Sequence, residues 1–113
     1  MLKRFTERIG SWRVHVVIYT SLRTFQQRCR VAHRVQGLYA PAYARTWSLR
    51  LLGTIHLPPR PDAGTIAHEA VHAVFDWMKV RHFTAAHVSA NEERAARYTA
   101  QLVRRILWEL ACG

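Results

Sequence analysis

The sequence predicts a small α+β domain in which a short sheet packs against amphipathic helices. A short run rich in β-branched residues at 13–20 and two short apolar runs between 46 and 57 indicate strands in the first half of the chain. Apolar residues at helical spacing dominate the second half, from 62 to 110, and indicate two longer helices. A length of 113 residues without repeats or a linker suits one domain, which we place at 1–113.

The first strand is predicted at 13–20, RVHVVIYT, because β-branched residues dominate this short run. Ser21 can then cap a helix, and Gly37 supplies its end. The apolar stripe of this helix consists of Leu22, Phe25, Cys29 and Ala32. Arginines occupy much of the other side, which is typical of an ordinary surface helix. A helix-turn-helix would need a second helix after a short turn, and none is predicted there.

Residues 38–44 are predicted to form a loop around Pro41. Two short strands follow, TWSLRL at 46–51 and GTIHL at 53–57, and they meet near Gly53. A proline-rich segment comes directly after residue 57, and it ends the second strand because proline cannot donate to a ladder.

Two further helices complete the predicted fold. Asp62 is a suitable N-cap for the first, which continues to about Lys79. Its apolar positions are Ile66, Ala70, Val71, Val74, Phe75 and Met78. The second helix is predicted at 89–110. Its apolar face consists of Ala96, Thr99, Val103, Ile106 and Leu110.

The chain carries a net charge of +10, from 15 arginines and 2 lysines against 7 acidic residues. Such a field attracts nucleic acid and other polyanions, which makes nucleic acid a candidate partner. The basic residues are spread along the whole chain, so a solvated surface explains the charge equally well.

No segment approaches the roughly 18 apolar residues of a membrane span, so no membrane is expected as a partner. The N-terminus starts basic, as a signal peptide would. Arg13 and His15 interrupt its apolar part, however, and no small-residue cleavage site follows. Cys29 and Cys112 are far apart and show no metal-ligand spacing. These features predict a soluble cytoplasmic protein with reduced thiols.

The segment TIAHEAVHAV, at 65–74, carries the residues of a metal site. His68 and His72 are four residues apart on a predicted helix, so they lie on one face about 6 Å apart along the axis. That spacing lets two imidazoles share one zinc ion. Glu69 lies next to them and can hold and deprotonate a zinc-bound water. Each residue alone would be an ordinary core or surface residue; the prediction depends on their joint occurrence on one helix.

A catalytic zinc site needs a third protein ligand and an open position for water. Asp76 continues the same row of the helix, but it lies about 12 Å along the axis from His68, too far to share the ion. The metzincin pattern would place Gly at position 75 and His at position 78. This chain has Phe75 and Met78 there, so that family is excluded.

Glu92 is a candidate third ligand. It lies 20 residues after His72, begins the last helix and shares the apolar stripe of that helix. Glu93 turns instead toward Arg97 on the solvated side. Ser89 and Glu92 also form a capping box, which would explain Glu92 without any metal.

The motif His68-Glu69-x-x-His72, followed on a later helix by the Asn-Glu pair that ends at Glu92, resembles the gluzincin branch of zinc metallopeptidases. At this length the chain is most similar to the short single-domain zinc metallopeptidases that bacteriophages and prophages encode. The resemblance covers about 52–110. It implies a minimal zincin-like domain: a small sheet, a helix that bears the active-site motif and a following helix that bears the glutamate.

The resemblance further implies peptide-bond hydrolysis, with Zn²⁺ as the cofactor and a protein or peptide as the substrate. His68, His72 and Glu92 would hold the ion, and Glu69 would act as the general base. The strand at 53–57 would be the edge strand that runs beside the cleft and pairs with an extended substrate.

One departure from the family and three alternatives remain. Ala96 stands where the larger gluzincins place an Asp that supports the first histidine. In a protease of the DNA-associated SprT type, His82 or His87 would be the third ligand, although the His-Gly pair usual there is missing. A non-catalytic protein would use zinc as a structural ion and its basic surface to bind nucleic acid or a phage or host protein. In a metal-free domain the motif would be a coincidence.

Overall fold

The computed structural model describes residues 2–29, 37–42, 50–81 and 91–112. Within these ranges the chain forms four strands and three helices. In chain order they are β1 (Leu2–Ile9), β2 (Trp12–Tyr19), α1 (Leu22–Cys29), β3 (Leu38–Pro41), β4 (Leu51–Leu57), α2 (Ala63–Val80) and α3 (Glu92–Cys112). The protein is therefore a small α+β domain, as the sequence predicts.

The four strands form one mixed sheet in the order β1-β2-β4-β3. β1 and β2 make an antiparallel hairpin, and Gly10 in its two-residue turn has a φ of 62°. A residue with a Cβ rarely adopts this left-handed conformation, so the glycine suits the tight turn. β2 then pairs in parallel with β4, and β3 pairs antiparallel with β4 from the other side.

β3 lies where the sequence predicts a loop, so that prediction is wrong. Leu38 pairs with His56 and Pro41 pairs with Gly53, which places β3 along the outer side of β4. A four-residue segment has too little alternation to show that it is a strand, and pairing with β4 defines it instead. Proline is tolerated at position 41 because β3 is an edge strand.

β4 is a central strand and not the edge strand that the family resemblance implies. It runs unbroken from Leu51 to Leu57, with β2 on one side and β3 on the other. A Cβ at Gly53 would meet the carbonyl oxygen of Ala40 in β3, so glycine suits this close approach. Both hydrogen-bonding sides of β4 are thus occupied, and β1 and β3 are the edges of the described sheet. The other predicted strand, 46–51, lies largely outside the described residues.

β1 is a strand that the sequence analysis does not predict. The side of β1 that faces α2 and α3 alternates charged with apolar residues: Lys3, Phe5, Glu7 and Ile9. Lys3 Nζ lies 3.3 Å from a carboxylate oxygen of Glu109 in α3. Gln101 Nε2, also in α3, donates to Glu7 at 3.3 Å. Lys3 and Glu7 therefore interrupt the apolar face of β1. The regular apolar alternation that would indicate a strand is missing from this part of the sequence.

The two faces of the sheet are covered differently. α2 and α3 pack on one face, where they enclose the main core. This core consists of Ile9, Trp12, Val14, Val16, Ile18, Leu52, Ile55, Leu57, Ile66, Ala70, Ala73, Val74, Trp77, Leu102 and Ile106. On the other face, α1 is the described helix that packs against the sheet, around Val17, Tyr19 and Phe25. No other described helix packs on that second face, which we call the open face.

The caps of the first two helices confirm the sequence prediction. The backbone N–H of Thr24 donates to Ser21 Oγ at 3.0 Å at the start of α1. The backbone N–H of Thr65 donates to Asp62 Oδ1 at 2.7 Å at the start of α2. α2 then continues to Val80, close to its predicted end.

Val103, Ile106 and Leu110 of the predicted apolar face of α3 pack against the core, whereas the first turns of the helix present other residues. Leu102 and Ile106 are fully buried, and Ala95 and Tyr98 pack partly against the core. Ala96, which begins the predicted stripe, is exposed. The first turns of the helix are therefore offset by one residue from the prediction, which corresponds to a rotation of about 100°. None of the described helices is long and apolar enough to cross a membrane.

Candidate metal site

The two histidines of α2 meet at their Nε2 atoms. These atoms of His68 and His72 are 3.1 Å apart, and the ring planes lie at 75° to each other. Two nitrogens bound to one tetrahedral zinc ion at about 2.0–2.1 Å would lie about 3.3–3.4 Å apart. The rings are thus close to the geometry of a shared ion, and both side chains are exposed to solvent.

Glu69 completes a group of three candidate ligands. One ligand atom from each of His68, Glu69 and His72 lies within 4.8 Å of the other two. Unlike the histidines, Glu69 is only 5% exposed. Burial raises the pKa of its carboxyl group, while the two histidines and a backbone N–H oppose that rise. A carboxylate with a raised pKa is a better proton acceptor near neutral pH than an ordinary surface glutamate.

The segment around the edge strand β3 contacts the Glu69 side chain. The backbone N–H of Tyr39 donates to the Glu69 carboxylate. Gly37, directly before β3, leaves room for this side chain, because a Cβ there would lie 3.0 Å from Oε2 of Glu69 and 2.9 Å from Cγ2 of Thr65. The sequence analysis assigns Gly37 only to the end of a helix. Its contact with Glu69 is tertiary and leaves no local signal.

Tyr39 also joins β3 to a later turn of α2. Its hydroxyl donates to Oδ2 of Asp76 at 2.6 Å, and Asp76 is buried. Asp76 does not belong to the ligand group, as its distance along the helix from His68 predicts. No local sequence pattern indicates a role for Tyr39. The signal that could have found it is the need of a buried carboxylate for a hydrogen-bond donor.

The predicted third ligand does not join the histidines. Glu92 is the first residue of α3 and its side chain is exposed, as is that of Glu93, and neither belongs to the ligand group. The expectation that Glu92 lies on the buried stripe is wrong, because that stripe is offset by one residue. Its role as a ligand stays a prediction. The alternative ligands His82 and His87, and the capping residue Ser89, lie outside the described residues.

An apolar cavity opens beside the histidines. It has a volume of about 410 Å³ and is lined by Gly64, Ala67, His68, Val71, His72 and Phe75. Phe75 is 54% exposed, so a large apolar side chain faces solvent next to the two imidazoles. The cavity can accept the apolar group of a ligand that also reaches the histidines.

The outer side of β3 offers few donors to a further strand. Ala42 donates to the carbonyl of Leu52 in β4, and successive backbone nitrogens alternate in direction, so those of Tyr39 and Pro41 face away from β4. The Tyr39 N–H already donates to Glu69, and proline has no N–H. Carbonyl oxygens are the groups left for an extended peptide to bond there.

Comparisons with protein families, with curated proteins and with solved structures give no match for this chain. The zincin-like interpretation therefore depends on the residues of α2 and on their geometry.

Proposed function

We propose that this protein is a zinc-dependent peptidase that hydrolyses peptide bonds in a protein or peptide substrate. The observation that carries the proposal is the convergence of the His68 and His72 Nε2 atoms, 3.1 Å apart, beside the buried carboxylate of Glu69. Imidazole nitrogens and carboxylates are donors that catalytic zinc sites use. The exposure of both histidines leaves space for a water molecule and a substrate on the solvent side.

Bound zinc would act as a Lewis acid that acidifies a water molecule and polarises the substrate carbonyl. His68 and His72 would hold the ion through Nε2, which requires that each ring carries its proton on Nδ1. Glu69 would take a proton from the attacking water and deliver it to the leaving amine. Burial raises the pKa of Glu69 in the metal-free chain, which agrees with a role in proton transfer. Glu92 is the third ligand that the family resemblance favours, with His82 and His87 as the alternatives.

The surroundings of the site support a substrate with an apolar side chain near the cleaved bond. The cavity of about 410 Å³ beside the histidines, with Val71 and Phe75 on its wall, offers apolar surface for such a side chain. The outer side of β3 offers carbonyl oxygens and few N–H groups. We therefore expect side-chain contacts to hold the peptide more strongly than strand pairing does.

Zinc content is the first test. The purified chain should hold about one zinc ion, measured by atomic spectrometry, and His68→Ala or His72→Ala should abolish binding. His15→Ala removes a histidine from β2 and is the matched control that should retain zinc. Cleavage of a fluorogenic peptide library should stop with a chelator and return with added zinc. A chain that binds no zinc when the ion is supplied, or that loses it equally in His15→Ala, would exclude the site.

A structural zinc ion in a non-catalytic protein is the second candidate. The group of candidate ligands among the described residues has three members, one fewer than a closed structural site holds. Residues 82–90 contain two further histidines that could complete such a site. X-ray absorption on the zinc-loaded chain distinguishes the two cases. Four protein ligands would indicate a structural ion, whereas three protein ligands and one light oxygen ligand would indicate a catalytic one.

A further inference from the structure

The open face of the sheet, opposite α2 and α3, holds a second cavity of about 550 Å³. Strands β1, β2 and β4 form its floor, and α1 lines one side. Its polar lining includes Arg4, Thr6, His15, Tyr19, Arg28 and His56. None of these residues belongs to the candidate metal site, which lies on the helix that covers the other face.

The cavity carries positive charge that no carboxylate neutralises. Arg4 and Arg28 are exposed, and neither forms an ion pair with a described residue. All seven acidic residues of the chain are among those described, and none lines the cavity. Glu7 and Glu109 bond to Arg105 on the α3 side of the sheet, and the other five lie at the start of α2, within it or at the start of α3.

Hydroxyl groups orient both imidazoles of the cavity. Nδ1 of His56 lies 2.9 Å from the Tyr19 hydroxyl, and Nδ1 of His15 lies 2.9 Å from Oγ1 of Thr6. The Cys29 thiol donates to the Tyr19 oxygen at 3.8 Å, which leaves the Tyr19 proton for His56. Burial raises the pKa of Tyr19 to about 12, so the hydroxyl keeps that proton. When Nδ1 of His56 accepts from Tyr19, the proton of its neutral imidazole sits on Nε2, and that ring becomes an N–H donor. The Thr6 hydroxyl can either donate to Nδ1 of His15 or accept from it.

The electrostatic surroundings keep these rings neutral in the free protein near pH 7. Burial lowers the pKa of His56, and the nearby Arg4 lowers it further. Burial and then Arg13 have the same effect on the pKa of His15. The cavity therefore combines two guanidinium cations with neutral donors, a combination that suits an anion with several oxygen acceptors.

We propose that this cavity binds a phosphate group, such as the phosphate of a nucleotide. The guanidinium groups of Arg4 and Arg28 present paired N–H donors that match phosphate oxygens, and the imidazoles and hydroxyls supply further donors. The volume lies within the range of small-molecule sites, roughly 300–1,000 Å³. A nucleic-acid backbone presents the same phosphate chemistry. Arg8 and Arg13, which pair across β1 and β2 on the open face, extend the positive surface beyond the cavity.

Calorimetric titration with inorganic phosphate and with adenosine monophosphate, at low salt, tests this proposal. Arg4→Gln and Arg28→Gln should each weaken binding by about tenfold or more, since each removes charge-assisted hydrogen bonds. Arg97→Gln and Arg104→Gln remove the same charge from exposed positions on α3 and are the matched controls. They should change the affinity less than Arg4→Gln and Arg28→Gln do, because neither side chain lines the cavity and neither can donate a hydrogen bond to the bound phosphate.

A second measurement does not depend on how well the variants fold. Amide chemical shifts of the unsubstituted chain, followed by NMR during phosphate addition, should change in β1, β2 and β4. The same pattern should appear in His68→Ala, because the site is independent of zinc and of the proposed peptidase function.

A single-stranded oligonucleotide distinguishes the two sources of phosphate. Displacement of the mononucleotide in a manner that requires Arg4 would assign the cavity to a backbone phosphate, and failure to displace it would assign the cavity to a small ester. Both results agree with a phosphate site. Three results would overturn it: no phosphate binding at low salt, equal losses in the α3 controls, or chemical-shift changes confined to α2.

Discussion

Two pairs of histidines lie on opposite sides of the sheet, and their ring nitrogens have different partners. On α2, the exposed His68 and His72 turn Nε2 toward each other at 3.1 Å, beside the buried Glu69. On the open face, the partly buried His15 and His56 bond through Nδ1 to hydroxyl groups at 2.9 Å. Converging nitrogens near a carboxylate suit a cation, whereas N–H donors among arginines suit an anion. The environment of each ring thus decides which charge the same side chain can bind.

The two faces also differ in how their charges are balanced. Glu7 and Glu109 bond to basic side chains on the face that α2 and α3 cover, whereas none of the seven carboxylates lines the cavity on the open face. The net charge of +10 is therefore not a uniform solvated layer on the described part of the chain. Part of it, from Arg4, Arg8 and Arg13, lies where alternate residues of β1 and β2 point away from the core.

The largest expected effect is on the rate of peptide cleavage and comes from Glu69, the carboxylate beside His68 and His72. Glu69→Gln should lower zinc-dependent peptide cleavage by about 10²–10⁴-fold, because an amide cannot take up the proton. Zinc should stay bound, and phosphate binding on the open face should not change. Cleavage rates and metal content are measured on the same sample, with Glu93→Gln as the control. Loss of zinc to the same degree as in His68→Ala would show that Glu69 is a ligand and not the base.

The second prediction sharpens the description of the α2 site by asking which residue completes it. Glu92→Gln should lower zinc affinity by about tenfold or more, whereas Glu93→Gln should change it little, as measured by competition with a chromophoric chelator. If Glu92 were only a helix cap, Glu92→Gln would retain zinc, since Gln also serves in a capping box. Zinc lost in Glu93→Gln alone would transfer the role to that residue. Retention in both variants would indicate His82 or His87.

The third prediction tests whether Glu69 depends on the segment before β3. Gly37→Ala places a Cβ 3.0 Å from Oε2 of Glu69 and 2.9 Å from Cγ2 of Thr65, so it should lower the free energy of unfolding by about 1–3 kcal/mol. Cleavage should fall while zinc stays bound. Gly64→Ala is the matched control, because its Cβ would lie 3.4 Å from the nearest atom, an oxygen of Asp62. Urea unfolding measures the stability of both variants. Equal destabilisation by the two substitutions would contradict the close contact of Gly37 with Glu69 and Thr65.

The smallest expected effect is the pH dependence of the free energy of unfolding that comes from His15 and His56 on the open face. Burial lowers the folded-state pKa of His15 and His56 below the ordinary value of 6.5, so the unfolded chain binds more protons below that pH. The contribution of His15 and His56 to the free energy of unfolding should therefore rise as the pH increases toward 6.5 and be constant above that pH. Glu69 acts in the opposite direction, because its raised pKa makes stability fall as the pH increases above 4.5. Measuring Glu69→Gln alongside the unsubstituted chain separates the two effects.

NMR titration of the imidazole C–H signals measures the two histidine pKa values directly. Bound phosphate should move both values upward, because the anion favours the charged rings. Rings that titrate at or above 6.5 without phosphate would contradict the buried, arginine-lined setting of His15 and His56.

The α2 site could be predicted because a helix has a constant period. His68 and His72, four residues apart after a cap at Asp62, must lie on one face whatever the rest of the chain does. The helix, its cap and the proximity of Glu69 are all confirmed. Helical spacing and capping rules are therefore sufficient to predict which residues one helix brings together.

Features that depend on pairing between distant segments could not be predicted. β3 is a strand because it pairs with β4. β1 has charged residues on its inner face, where they bond to α3, so its sequence lacks the apolar alternation typical of a strand. Tyr39 and Gly37 contact Glu69 across some thirty residues of chain, and no local pattern encodes such a contact. In α3 the later turns pack as predicted, through Val103, Ile106 and Leu110. In the first turns Ala95 and Tyr98 face the core in place of Ala96 and Thr99, because adjacent residues of a helix are about 100° apart and the sequence there has several small or polar residues that do not define one stripe.

The donor-poor edge of β3 affects how copies of this protein would meet. Open sheet edges are templates on which identical chains add strands and aggregate, and proteins protect them with short strands, prolines and charges. β3 has four residues, contains Pro41 and directs its Tyr39 N–H into Glu69, while the opposite edge carries the exposed Arg4 and Arg8. The carboxylate proposed for catalysis therefore also discourages growth of the sheet into a fibril. Loss of the α2 turn around Glu69 would free the Tyr39 N–H and remove that protection.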